Sequence, residues 1–128
     1  MTELELQAQV ADYLRLQYPD VLFHSDFGSG IKLTKGQAVK QKRLQGGRRA
    51  WPDLFIAQPK SVGEFYYDGL FIELKREGTR LVKKNGEPSS EHIKEQGEVI
   101  KQLRERGYAA GFACGFDEAK KIIDEYLS

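Results

Sequence analysis

Leu70-Phe71-Ile72-Glu73-Leu74-Lys75 is an apolar run that turns into charge at its end. Its alternation predicts a strand with Phe71, Glu73 and Lys75 on one face and Leu70, Ile72 and Leu74 on the other. A second such run, Pro52-Asp53-Leu54-Phe55-Ile56, carries its acid at the start, and nineteen residues separate Asp53 from Glu73. Both runs read as strands of a buried sheet. Two carboxylates and an ammonium are thereby brought toward one spot, and each would be costly to bury alone. A divalent cation with a water to activate is one way to satisfy all three.

Around these strands the pattern alternates with helices. Thr2 to about Tyr18 reads as an amphipathic helix with Leu6, Val10, Tyr13 and Leu14 on one face and Pro19 beyond its end. Val21 to His24 is a short strand, and Phe27-Gly28-Ser29-Gly30 a turn. A short helix is expected from Gly36 to about Gln45, then a strand from Asp53 to Gln58 and a turn from Pro59 to Gly63. Asp68-Gly69 predicts a hairpin joining residues 64–67 to the strand from Leu70 to Arg76. Residues 77–88 are polar, with Lys83-Lys84-Asn85-Gly86 as a loop tip. Ser89 or Ser90 starts a helix that Gly107 ends, with Ile93, Gln96, Gly97, Ile100 and Leu103 as its inward seam. Tyr108 to Cys114 is a strand, and Phe116 to Leu127 a closing helix with Ala119, Ile123, Tyr126 and Leu127 inward. The result is a mixed α/β domain with helices packed on a central sheet.

The 128 residues fit one domain with a modest core. No apolar run is long enough to span a membrane, and residues 1–5 lack the pattern of a signal peptide. Cys114 is the single cysteine, which excludes an intrachain disulfide and a cysteine-based metal site. A cytoplasmic protein is the expectation. The net charge of +1 conceals an asymmetry. Between Asp26 and Asp53 lie seven basic residues (Lys32, Lys35, Lys40, Lys42, Arg43, Arg48 and Arg49) and no acid, while the rest has 13 basic against 19 acidic residues, a net of −6. A cationic segment leading into Asp53 points to a polyanionic partner, with nucleic acid favoured over a merely solvated face.

Hard cations such as Mg²⁺ take oxygen ligands and keep several waters. Asp53 and Glu73 each offer a carboxylate oxygen, and the Leu74 carbonyl is a further candidate ligand. Lys75 is suited to orient the attacking water or to stabilise charge growing on phosphorus. The set suits phosphodiester hydrolysis. Glu3 stands in the middle of the first helix's inner face, with Gln7 beside it, whereas Glu5 projects away. An acid there either joins the carboxylates or complements the helix dipole at the surface. Gln96 either satisfies a backbone group or orients a phosphate or metal-bound water. His24 and His92 lack partners at ligand spacing and read as structural. Cys114 reads as a small core residue. Trp51 reads first as packing under the active strand and second as a wedge against DNA.

Pro52-Asp53 followed by Glu73-Leu74-Lys75 resembles the PD-(D/E)xK nuclease signature. More specifically, the chain is similar to the VRR-NUC family. The similarity takes in the helix with Glu3 and Gln7, the approach Gly46-Gly47-Arg48-Arg49-Ala50-Trp51-Pro52-Asp53-Leu54, Phe71 to Lys75, Ser90 to Gln96 and Leu103 to Gly107. It implies one nuclease domain over residues 1–128, with a restriction-endonuclease-like mixed central sheet flanked by helices. It implies Mg²⁺- or Mn²⁺-dependent DNA cleavage, with Asp53 and Glu73 as metal ligands, Lys75 as catalytic lysine, and Glu3 and Gln96 as accessory catalytic residues. Stand-alone members are associated with branched DNA, including Holliday junctions, and with homodimers. Where the family often reads Gly-Pro-Asp, Trp51 precedes Pro52 here. Alternatives are a sequence-specific restriction endonuclease, reading bases through residues 32–49, and a catalytically silent nucleic-acid-binding module.

Overall fold

The computed structural model describes residues 1–26, 32–47 and 50–128. The elements are α1 (Glu3–Gln17), β1 (Phe23–Ser25), α2 (Lys35–Leu44), β2 (Leu54–Ile56), β3 (Lys60–Val62), β4 (Phe65–Tyr67), β5 (Leu70–Lys75), α3 (Glu91–Glu105), β6 (Ala109–Cys114) and α4 (Phe116–Leu127). Four strands form one sheet in the order β1-β2-β5-β6. β2 runs antiparallel to both of its neighbours, β1 and β5, and β6 runs parallel to β5. A parallel pair needs a long crossover, and the segment containing α3 supplies it. The mixed sheet flanked by helices is therefore the expected architecture.

Alternation along β5 sorts its side chains between two cores. Leu70, Ile72 and Leu74 pack with Leu54 and Ile56 against Leu6, Val10 and Leu14 of α1 and Ala119, Ile123 and Tyr126 of α4. Phe71 faces the other way, toward Val99, Ile100 and Leu103 of α3 and Ala110 of β6. Burying each large aliphatic of the first cluster contributes roughly 1.5–3 kcal/mol. α1 and α4 are also tied by polar groups. The Tyr13 and Tyr18 hydroxyls donate to Asp124 Oδ1 at 2.5 and 2.7 Å, and Lys120 Nζ lies 2.9 Å from Oδ2. These donors hold the Asp124 carboxyl down at about 2.

Local chemistry explains the helix starts. Thr2, Thr34 and Ser90 each accept a backbone N–H within the first turn of α1, α2 and α3. Thr34 and Gln37 form a reciprocal capping box, a signal that starts α2 at Lys35. β1 sits slightly later than Val21–His24, and β2 is shorter than Asp53–Gln58. In α3, Val99 joins the buried seam, whereas Ile93 and Gly97 are only partly covered. The turn expected at Phe27-Gly28-Ser29-Gly30 lies outside the described residues.

One expectation fails. Asp68-Gly69 is not a hairpin turn, and residues 65–67 do not pair with β5. Phe65–Tyr67 pairs with Lys60–Val62, where a turn was expected, and the chain reverses at Gly63 with φ +58°. Both edges of β5 are occupied, by β2 and by β6, so no edge is free for the preceding segment. Neither Asp68 nor Gly69 has the positive φ a two-residue type I′ turn requires. Asp68 N–H instead donates to the Gly107 carbonyl at 2.9 Å.

Gly69 is required for a different reason, which is close approach. A Cβ there would sit 2.7 Å from Phe55 Cε1 and 2.9 Å from the Ile56 carbonyl oxygen. Gly69→Ala is therefore expected to cost about 1–3 kcal/mol by overpacking. Urea unfolding measures this; wild-type stability in the variant would show that β2 yields freely.

Candidate active site

The site lies where β2 stops pairing with β5. Leu54 is opposite Ile72, so one step further Asp53 comes opposite Glu73. Pro52 has no N–H to continue a ladder. Side chains take over from the backbone at this point. Asp53 Oδ2 accepts the Leu74 N–H at 2.9 Å, and Glu73 Oε2 accepts the Asp53 N–H at 3.2 Å. Each acid thus closes a backbone bond of the opposite strand. β1 joins through Asp26, whose N–H donates to the Asp53 carbonyl at 2.8 Å.

Glu73 is the hub. It is only 3% exposed. Its Oε1 accepts from Gln96 Nε2 at 2.6 Å, and Lys75 Nζ stands 3.8 Å from the same oxygen. Gln96 reaches it from α3, because Glu73 and Lys75 project from the face that α3 covers. Asp53, Lys75 and Gln96 are buried too. Burial first, and the neighbouring Asp53 carboxylate second, push the Glu73 carboxyl up to about 9, while Lys75 opposes the shift. The two acids together thus hold on to a proton. Gln96 Oε1 is buried and has no hydrogen-bond partner. What this cluster lacks is a donor for that oxygen.

The other sequence candidates are placed as follows. Leu74 contributes its N–H to Asp53, and its side chain is core. Glu3 is half-buried in the first turn of α1, as the helical phasing predicts, while Glu5 is exposed. Glu3 does not join the pair: among the described residues no group of three or more His, Cys, Asp or Glu side chains is placed to hold a metal ion. Lys32, Lys35, Lys40 and Lys42 are exposed on or near α2, and Arg43 beside them is exposed as well. Arg48 and Arg49 lie outside the described residues. α2, which carries Lys40, Lys42 and Arg43, buries none of its side chains.

Gln7 gains a role that the sequence left unassigned. Gln7 is buried in α1, and its Nε2 donates to Ser25 Oγ at 2.7 Å and to the Asp26 carbonyl at 2.5 Å. It thereby fixes the end of β1 that pairs with Asp53. Its place beside Glu3 on the inner face was the available signal. Trp51 packs against Phe71 of the active strand β5 without being buried under it. It is 41% exposed, its Nε1 donates to the Gln45 carbonyl at 3.1 Å, and its ring centre is 6.0 Å from that of Phe71. Cys114 is only half-buried.

No family model and no curated protein matches the chain. A solved structure described as a VRR_NUC domain protein does. It is 26% identical, superposes with a TM-score of 0.68, and the match covers 99% of this chain and 88% of that one. That likeness supports assignment of the chain to the VRR-NUC family. The shared architecture is a restriction-endonuclease-like fold, and the likeness supports a nuclease-type domain. Here the junction of β2 and β5 gathers Asp53, Glu73, Lys75 and Gln96 into one buried cluster. No helix among the described residues is long and apolar enough to cross a membrane.

Proposed function

We propose that this chain is a divalent-metal-dependent DNA endonuclease that hydrolyses phosphodiester bonds, acts on branched DNA and works as a homodimer. The observation that carries the reading is the pair of buried, facing carboxylates with a lysine at 3.8 Å from one of them. Such a cluster offers buried carboxylate oxygens that suit a hard cation. The raised proton affinity of Glu73 and the unpartnered Gln96 Oε1 fit the same demand.

Asp53 and Glu73 would hold Mg²⁺ or Mn²⁺, with the Leu74 carbonyl as a further ligand. When bound, the cation supplies a water of lowered pKa and polarises a phosphate oxygen. Lys75 is held beside Glu73, where its ammonium stabilises negative charge growing on the phosphoryl oxygens. Gln96 Nε2 fixes one Glu73 oxygen, and its free Oε1 is an acceptor for a water at the site. Glu3, half-buried in the first turn of α1, is assigned an accessory role by the family resemblance alone. Lys32, Lys35, Lys40, Lys42, Arg43, Arg48 and Arg49 neutralise phosphates and so position the strand without reading its sequence.

Branched DNA and the homodimer rest on the family resemblance and on symmetry. Cutting a four-way junction needs two sites on two strands, and a dimer supplies them. The test is a cleavage assay with Mg²⁺ and with Mn²⁺ on duplex, flap, splayed-arm and four-way-junction DNA. Cutting at flaps or junctions with indifference to duplex is the expected result. Discrete repeated cuts along a long duplex would show a restriction endonuclease instead. Salt-sensitive binding with no hydrolysis under either metal would show a silent binding module.

A further inference from the structure

A groove of about 600 Å³ opens beside the carboxylates. Asp53 belongs to its lining, Trp51, Phe55 and Phe71 give it aromatic surface, and Leu44 and Gln45 at the end of α2 also line it. Phe55 and Phe71 stack with ring centres 4.4 Å apart, and Phe71 in turn braces the indole. This aromatic surface belongs to the face of the sheet that α3 covers over β5 and β6.

We propose that this groove receives an unpaired nucleobase of the DNA strand, stacked on the Trp51 indole. The proposal rests on the nuclease reading above and narrows its substrate to DNA that exposes a base. Continuity with the site is the first argument. A groove that runs onto Asp53 is reached by the nucleotide next to a phosphate held at Asp53 and Glu73. Charge is the second. The lining itself carries the acids Asp26 and Asp53 and, among the described residues, no Lys or Arg, while α2 leads into it with Lys40, Lys42 and Arg43 exposed. A strand whose phosphates meet those α2 cations while an uncharged base enters the groove is therefore the complementary occupant, rather than an acidic peptide.

The chemistry of the indole explains why the base must be unpaired. Its Nε1–H already donates to the Gln45 carbonyl. With no donor left, Trp51 recognises the face of a base and not its edge. Within a closed duplex both faces of every base are covered by neighbours, whereas a flap, a junction or a strand end leaves one open. Stacking on an aromatic platform tolerates any base. The groove thus selects for DNA structure without selecting for sequence.

Trp51 is the single tryptophan of the chain, so its emission reports on this groove alone. In EDTA, a dye-labelled single-stranded oligothymidine of about 16 nucleotides, enough to fill such a site, is expected to quench Trp51. A duplex closed by hairpins at both ends is expected to leave the emission unchanged. By dye anisotropy, Trp51→Ala should weaken single-strand binding about tenfold or more and leave binding of the capped duplex as it was. Trp51→Phe should restore most of the loss. Trp51→Leu keeps an apolar side chain without the aromatic face; it should lose single-strand binding as the alanine variant does, and it replaces that variant if alanine melts early. Equal quenching by both DNAs, or equal weakening of both in the variants, overturns the proposal. Parallel digestion with Mg²⁺ and Mn²⁺ separates the two readings. Cleavage without quenching overturns the base groove alone; quenching without cleavage under either metal overturns the nuclease reading alone.

Discussion

Lys75→Ala is expected to lower metal-dependent cleavage by about 10²–10⁴-fold, the range seen when a positioned catalytic group is removed. Lys75 is buried beside Glu73 and points to the face that also presents Asp53. Its loss removes a cation that opposes the rise in the Glu73 proton affinity. The variant therefore forfeits charge stabilisation and also binds its metal less well. Asp53→Ala should be equally inactive, but for an additional reason. It frees the Leu74 N–H from its 2.9 Å bond and loosens the end of the β2–β5 pairing. A buried donor left unmet costs about 1–3 kcal/mol. The two variants should therefore match in activity and differ in melting temperature. Metal-dependent cutting retained in both would sink the assignment of this cluster as the catalytic site.

The second large effect is on stability. Without metal, the protein should become less stable as pH rises from about 5 to about 9. The Glu73 carboxyl goes from 4.5 in its ordinary state to about 9 in the fold. Between those values the folded chain keeps a proton that the unfolded chain has released. The contribution of this group is fully present below the lower value and declines as pH climbs to the upper one. One such proton corresponds to a slope of about 1.4 kcal/mol per pH unit. Glu73→Gln removes the titration, so its melting temperature should vary less over this window and exceed that of the wild type near pH 8. Mg²⁺ should raise the melting temperature of the wild type at that pH and leave the variant almost unmoved. Thermal melts across the range read all three. A wild-type melting temperature that stays constant with pH would contradict the burial of an ionisable Glu73.

The strands that bear the site were legible because their patterns are local. Alternation along Leu70 to Lys75 separates core from site without reference to any other segment. Gln96 was legible as an amide in an apolar seam that calls for a partner, but that partner is Glu73 Oε1 and not a backbone group. The hairpin at Asp68-Gly69 was misread for the opposite reason. Turn chemistry is local, but pairing depends on which sheet edges remain open, and β5 has none. Gln7 needed Ser25 and Asp26, which lie 18 and 19 residues away and meet it only in the fold. The raised proton affinity of Glu73 likewise exists only once two acids are buried face to face.

α2 stands apart from all of this. Its Thr34–Gln37 capping box fixes where it begins, yet no side chain of its ten residues is buried. Substitutions along it change charge and reach while leaving the packed interior untouched. On the nuclease reading proposed above, natural variation can therefore retune which nucleic acid is gripped, one exposed residue at a time, while the chemistry stays locked between β2 and β5. Substrate range and catalysis are free to evolve at different speeds in this chain.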